Sequence, residues 1–169
     1  MDREKGTIFH NSTSLQQTSI RVILAIATIF GFHILSTDIT QAYIQSATKL
    51  MPDIYILSTK QFELAPNQLL KFLRHLYVLT ESGEYWNYTF SEHMKKDLGM
   101  IRAVGDLSLL LKRFNEKLAG LAGTYVDDSM LLGNKKFLDS ARATAERFES
   151  EENTLDHFVF AGQEISTMD

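Results

Sequence analysis

The sequence contains no cysteine and no apolar run long enough to span a membrane. The absence of cysteine excludes disulfides, thiolate metal ligands and cysteine nucleophiles, so any metal must be bound by oxygen or imidazole. The most apolar stretch, residues 22–35, contains Gly31 and His33 and is shorter than the roughly 20 residues of a membrane helix. We therefore predict a protein without membrane segments, located inside the cell in the cytoplasm or nucleus.

An excess of positive charge is also missing, because 17 Lys and Arg face 21 Asp and Glu and give a net charge of −4. Nucleic-acid-binding domains usually carry a basic surface, so this balance argues mildly against tight independent binding to nucleic acid. The hydrophobic content of 44% and charged content of 22% are typical of a globular domain. A single folded domain is expected.

The first part of the chain divides into a leader, a helix and a strand. Residues 1–17 are polar and lack periodicity, which predicts a loose leader before a domain spanning residues 18–169. Apolar residues at three- and four-residue steps predict a helix over residues 19–30 that ends at Gly31. Residues 32–39 are rich in strand formers, so Asp38 is expected at a strand end.

The middle of the chain predicts two brief strands, a helix and a group of three strands. The brief strands cover residues 53–57 and 69–78, and the helix covers residues 81–98 before Gly99. The buried face of that helix is predicted to be Trp86, Phe90, Met94 and Leu98, at successive four-residue steps. The remaining strands are predicted at residues 107–111, 118–125 and 129–132.

The last part predicts a helix capped by Asn134, an exposed acidic tail over residues 146–152 and a final strand over residues 158–165, in which Gly162 marks a bend or a close backbone approach. The apolar stripe assigned to this helix is Phe137, Ala141, Ala145 and Phe148. With the brief strands set aside, the order is strand, helix, strand, strand, helix, strand. This order predicts an α+β, ferredoxin-like fold, in which an antiparallel sheet has its helices packed on one face.

Three acids are expected to meet in that topology, because the first strand ends beside the turn that joins the next two. Asp38 would then face Asp127 and Asp128 across adjacent strands. Nucleotide transfer to a hydroxyl uses two magnesium ions about 3.5–4 Å apart, and magnesium prefers hard oxygen ligands. The alternative is structural, since Asp is common in turns, where its side chain accepts hydrogen bonds from backbone amides.

Several blocks, in this order, resemble the reverse transcriptases of copia-type retrotransposons. The most specific block is Tyr125-Val126-Asp127-Asp128, with an apolar strand before it and Leu-Leu-Gly after it. The other matching blocks are residues 19–27, 37–43, 76–86 and 160–165.

The resemblance implies the palm domain of an RNA-directed DNA polymerase that uses an RNA template, a DNA primer and deoxynucleotide triphosphates. In this family the positions of Asp38, Asp127 and Asp128 are catalytic and bind two Mg²⁺ ions, with Mn²⁺ as an alternative. Tyr43 would lie under the sugar of the incoming nucleotide and exclude a ribose 2′-hydroxyl, although without the resemblance its residue type favours an ordinary core aromatic. The other substrate-binding residues implied by the resemblance are Tyr125, Glu81 and Gly83.

The sequence departs from the family in several places. Residues 1–17 stand where a strand-rich fingers segment is expected, and no thumb follows Asp169, so we expect the fingers to be largely missing and the thumb absent. His75 and Val78 replace an expected proline and glycine, and Glu81 replaces a frequent glutamine. The isolated chain is therefore expected to have weak activity or none, and to associate with a complete polymerase if it acts.

Two alternatives stay open from the sequence. The first is a catalytically inactive remnant or a nucleic-acid- or protein-binding module that keeps the palm fold. The second is another metal-dependent enzyme of the same topology, such as a nucleotide cyclase, although the glycine-glycine-acid turn of that group is absent.

Overall fold

The computed structural model describes residues 14–47, 50, 53–57, 65, 68–77, 79, 81–152 and 157–166. Within these ranges the chain forms three helices and ten strands. In chain order they are α1 (Gln17–Phe30), β1 (His33–Ile39), β2 (Tyr55–Leu57), β3 (Leu69–Lys71), α2 (Ser82–Leu98), β4 (Ile101–Arg102), β5 (Leu109–Phe114), β6 (Lys117–Tyr125), β7 (Asp128–Gly133), α3 (Lys135–Ala145), β8 (Ser150–Glu152), β9 (His157–Phe160) and β10 (Gln163–Ser166).

The centre of the fold is a six-stranded sheet with the strand order β4-β5-β6-β7-β1-β8. All of its strand pairs are antiparallel. Two separate antiparallel ribbons are formed by β2 with β3 and by β9 with β10. The predicted α+β class with an antiparallel sheet is therefore confirmed.

One face of the sheet is covered by α2 and α3. The predicted stripe of α2 is buried in full, and Trp86 and Phe90 are each 1% exposed. Phe148 closes this core with its ring edge on Trp86, the ring centroids being 5.1 Å apart. The α2 helix ends where predicted, at Gly99, which adopts a left-handed conformation with φ of 60°.

The opposite face is covered by α1 and by the β9–β10 hairpin, so the prediction that the helices pack on one face is wrong. Ile20, Ile23 and Ala27 of α1 belong to a second apolar cluster on that face, together with Phe158 and Phe160. The physical reason lies in the central strands, since β7 is buried at every position from residue 129 to residue 133. A strand that is apolar on both faces needs cover on both sides.

The end of the predicted leader is part of this second core. Leu15 is 1% exposed, and its backbone N–H donates to the carbonyl oxygen of Thr124 at 2.7 Å. The α1 helix begins at Gln17, one residue before the predicted domain start. Residues 1–13 lie outside the described residues.

The predicted single final strand is wrong in part, because residues 157–166 form two strands of a hairpin that turns at Gly162, where the bend was predicted. Its two-residue turn is Ala161-Gly162, with φ angles of 51° and 72°. Two positive φ angles match the turn geometry that suits tight antiparallel hairpins. The predicted acidic tail is exposed at residues 146, 147 and 149–151, although Phe148 is buried and Ser150–Glu152 pairs with β1 as the edge strand β8.

Two other strand predictions needed correction. The β5–β6 hairpin extends through the polar residues 112–117 and turns at Asn115 and Glu116, which both have positive φ. Of the predicted strand over residues 69–78, Leu69–Lys71 forms a strand, and Val78 lies outside the described residues.

None of the helices in the ranges given above is long and apolar enough to cross a membrane.

Helix α3 begins at the predicted cap, where the Asn134 side-chain oxygen accepts the Phe137 N–H at 2.9 Å. The Phe137 ring then lies directly on the backbone of two paired glycines, Gly120 of β6 and Gly133 of β7. A Cβ atom at either glycine would overlap that ring. Helix α3 therefore approaches the sheet closely.

The apolar stripe predicted for α3 is buried at Phe137, Ala141 and Phe148. Phe148 lies beyond the end of the helix, and the side chain of Ala145 lies outside the described residues.

We expect the substitution Gly120→Ala to lower the free energy of unfolding by about 1–3 kcal/mol, the usual cost of overpacking a filled core. Urea denaturation would measure it. Gly105→Ala is the matched control, since a Cβ at Gly105 would meet no atom within 4 Å. Equal stabilities of the two variants would contradict the close packing of Phe137 on the sheet.

Candidate active site

The turn between β6 and β7 carries the acid pair. Tyr125 and Asp128 are the last paired residues, and Val126 and Asp127 form the two-residue connection. Val126 has a φ of 59°, which is rare for a β-branched residue and costs of order 1–3 kcal/mol. Its side chain packs against the core under α2. The paired strands and this packing hold a strained turn that presents Asp127 at its tip.

Asp38 reaches the same end of the sheet from β1. It lies directly opposite Asp128 in the antiparallel β1–β7 pair. The next residue, Ile39, donates its backbone N–H to the carbonyl oxygen of Asp127 at 3.0 Å. The prediction that Asp38 faces the acid pair across adjacent strands is confirmed, whereas the roles of these acids remain a prediction.

A fourth acid, Glu151, lies beside this group and was missed from the sequence. Strand β8 places it opposite Asp38 on the other side of β1. A run of three polar residues carries no strand periodicity that would have revealed this pairing.

Burial, together with the charges of neighbouring acids, raises the pKa values of Asp38 and Asp128. The pKa of Asp38 is raised, first by the partial loss of its hydration and then by the negative charges of Asp127 and Glu151. This holds although Asp38 is an exposed residue of β1. Burial is also the main cause of the raised pKa of Asp128. The Ala161 N–H, which donates to Asp128 Oδ2 at 3.1 Å, opposes that rise. The site therefore concentrates negative charge that a cation would neutralise.

The donor chemistry of the site fits a hard cation, because carboxylate oxygens are the ligands that magnesium prefers. Among the residues that the structure describes, no three acidic or histidine side chains are close enough to form a ready-made ligand cluster for a metal ion. Magnesium is commonly bound by one or two carboxylates together with substrate phosphates and water. Asp38 at the end of β1 and Asp127 in the neighbouring turn offer two carboxylates at one end of the sheet.

Tyr43 lies on a turn that follows β1 and is fixed by Gln45. The Gln45 side chain donates to the carbonyl oxygen of Glu149 and accepts from the backbone N–H of Glu149, both at 2.9 Å. The Tyr43 ring is 9% exposed and packs in the core under α2. A Cβ at Gly83 would lie 3.2 Å from the Tyr43 hydroxyl oxygen. Tyr43 and Gly83, both predicted to bind substrate, are therefore in close proximity.

Tyr77 links this aromatic residue to the acids. Its ring stacks on the Tyr43 ring at a centroid distance of 4.2 Å and an interplanar angle of 26°. Its hydroxyl donates to Asp127 Oδ2 at 3.1 Å. Burial first, and then the negative charge of Asp127, raise the pKa of Tyr77 to about 12. The phenol thus stays protonated at neutral pH. The sequence had indicated Tyr77 only as part of a motif.

The other two predicted substrate-binding residues are Tyr125, which pairs with Asp128, and Glu81. Tyr125 is half-buried and packs against the cluster under α1, on the face opposite Tyr43. Glu81 is the half-buried residue before α2, two positions from Gly83. The structure thus brings Asp38, Asp127 and Asp128 together and joins them to Tyr43 through Tyr77.

An antiparallel sheet that brings two separated acidic segments together at one end is typical of the polymerases that copy a template. The sequence profile described as reverse transcriptase (RNA-dependent DNA polymerase) matches residues 8–161. The chain therefore belongs to the reverse transcriptase family, as the resemblance of its motifs had indicated.

Two relatives come from transposons of Arabidopsis thaliana. The retrovirus-related Pol polyprotein from transposon RE1 is 27% identical over 125 residues, which are 73% of this chain and 8% of that protein. The corresponding polyprotein from transposon RE2 is 24% identical over 151 residues, which are 87% of this chain and 10% of that protein. The chain thus spans about a tenth or less of these relatives. No solved structure matches it.

We expect Asp38→Asn to raise the melting temperature at neutral pH in the absence of divalent cations. The raised pKa means that the folded state holds the Asp38 proton more tightly than the unfolded state. The free energy of unfolding therefore falls as the pH rises from the ordinary value of 3.8 through the folded value. The advantage of the variant should be present at pH 7 and shrink as the pH approaches 3.8.

Thermal denaturation at several pH values would measure this effect. Asp53→Asn is the control of opposite sign, because the hydrogen bond from Lys71, at 2.6 Å, lowers the pKa of Asp53. Its loss should not stabilise the protein. A melting temperature of Asp38→Asn at or below that of the unchanged protein at pH 7 would contradict the raised pKa of Asp38 in the folded state.

Proposed function

We propose that this chain is a reverse transcriptase palm domain that adds deoxynucleotides to a primer 3′-hydroxyl on an RNA template. The observation that carries the proposal is the convergence of Asp38 with Asp127 and Asp128 at one end of the sheet. A structural role alone would not require acids from separate segments to be gathered where burial and neighbouring negative charge raise the pKa values of Asp38 and Asp128.

The strand order supports a ferredoxin-like palm. Leaving aside β4 and β5 at one edge, the sheet reads β8-β1-β7-β6, and α2 and α3 connect β1 to the hairpin and the hairpin to β8. This is the order of the split βαβ arrangement. Its closing strand is β8 rather than the residues 158–165 expected from the sequence.

In the proposed reaction, Asp38 and Asp127 hold the divalent cations and Asp128 assists. Two bound Mg²⁺ ions, or Mn²⁺ in their place, would neutralise charge on the transferred phosphate and on the attacking and leaving oxygens. The protein itself holds these carboxylates in position. The strained Val126 turn presents Asp127, and the Ala161 N–H orients Asp128.

The substrate end of the proposed site is aromatic. Tyr43 would lie against the sugar of the incoming nucleotide and exclude a 2′-hydroxyl by contact, and Gly83 leaves room for the Tyr43 hydroxyl. Glu81 and Tyr125 are assigned to substrate binding on the family resemblance. The template, primer and triphosphate are polyanions, and the net charge of −4 disfavours tight binding by this chain alone. Other polymerase segments would supply the tight binding of these polyanions.

Primer extension on an RNA template with Mg²⁺ tests the proposal. We expect Asp127→Asn to reduce extension by roughly 10²–10³-fold or more, the scale for removing one stabiliser of transition-state charge. Asp139→Asn, on the exposed side of α3, should leave extension unchanged. Equal extension by the unchanged chain and Asp127→Asn would remove the enzymatic proposal. Template binding without extension would then identify a binding module that keeps the fold.

A further inference from the structure

The side chain of Tyr77 covers the proposed nucleotide site. The residue Tyr43 is only 9% exposed, whereas Tyr77, whose ring stacks upon it, is 52% exposed. A substrate that approaches from solvent therefore meets Tyr77 before Tyr43. Any contact between a nucleotide sugar and this face of the Tyr43 ring requires the Tyr77 ring to leave.

The same side chain also engages the acid at the tip of the turn. The Tyr77 hydroxyl donates to Asp127 Oδ2, so one oxygen of a proposed cation ligand is already bonded. Tyr77 lies outside any helix or strand, at a turn closed by the Leu79 N–H and the Leu76 carbonyl oxygen at 3.0 Å. Rotation of its side chain thus breaks no strand pairing.

Core packing alone does not account for this arrangement. A residue that is half exposed contributes less to the core than the fully buried aromatics Trp86 and Phe90. Both contacts of Tyr77 are instead made to residues of the proposed site, one to the sugar-contacting ring and one to the acid.

We propose that Tyr77 is a gate that closes the empty nucleotide site and must swing away when a deoxynucleotide triphosphate binds. This inference rests on the proposed function. The closed state stabilises the site without substrate, because the stack covers apolar ring surface and the phenol binds a carboxylate. Binding energy must offset the loss of both contacts, so the closed state lowers the apparent affinity for nucleotide.

Equilibrium binding of deoxythymidine triphosphate with Mg²⁺, measured by isothermal titration calorimetry without primer, tests the gate. Tyr77→Phe keeps the ring and removes the hydroxyl, and should tighten binding by roughly threefold. Tyr77→Ala removes both contacts and should tighten it by roughly tenfold. Tyr88→Ala is the matched control, since Tyr88 is 55% exposed and Tyr77 is 52% exposed. It should leave affinity unchanged.

A second measurement follows the ring itself. With 3-fluorotyrosine incorporated, the Tyr77 resonance is identified by its absence in Tyr77→Phe, and we expect it to shift when the triphosphate and Mg²⁺ are added. The Tyr88 resonance should not shift. Melting temperatures establish that all variants are folded.

The outcomes separate the gate from the function on which it rests. Binding of equal or lower affinity in both Tyr77 variants, with the unchanged chain still binding, overturns the gate alone and leaves the proposed function standing. Absence of binding in every variant overturns both proposals. Tighter binding in both Tyr77 variants supports both.

Discussion

The register of the β1–β7 pair is the constraint on which the rest of the site depends. Leu35 lies opposite Leu131 and Asp38 lies opposite Asp128 in the same ladder. A slip of one residue would move every side chain of β1 to the other face of the sheet, removing Leu35 from the core under α2 and Asp38 from its place opposite Asp128. Burial of the apolar residues of β1 and β7 therefore fixes the register of the pair. This register in turn fixes the position of Asp38 relative to Asp128.

The folded site contains two unfavourable features, the repulsion between its acids and a strained backbone at Val126, which the rest of the fold must offset. Asp38, Asp127 and Asp128 repel one another, and Val126 holds a φ of 59° that its side chain disfavours. These costs are concentrated at one turn, between strands whose inner residues are completely buried. Strain of this kind persists where the surrounding structure over-determines the conformation, and it is common at functional sites. The Tyr77 hydroxyl is a neutral donor that partly satisfies Asp127.

Much of the local structure was predictable because its causes are local. The four-residue spacing of Trp86, Phe90 and Met94 predicted the buried stripe of α2, and Asn134 predicted the start of α3. The candidate acids were found by residue type and motif, and their convergence by topology. What was missed depends on partners distant in sequence: β8 is a strand because β1 offers it a free edge, and residues 157–166 fold back through a turn with two positive φ angles.

The sequence by itself determined the α+β class, the helices with regular apolar spacing and the family to which the chain belongs, because periodicity and short motifs are written in neighbouring residues. Only the tertiary structure decided that α1 covers the second face, that Glu151 joins the acids, and that Tyr77 lies between Tyr43 and Asp127. The contacts of Tyr77 with Tyr43 and Asp127 and of Glu151 with Asp38 join residues 34, 50 and 113 positions apart, and α1 meets Phe158 and Phe160 across more than a hundred positions. Their energies arise from burial and pairing across the fold, which no local pattern encodes.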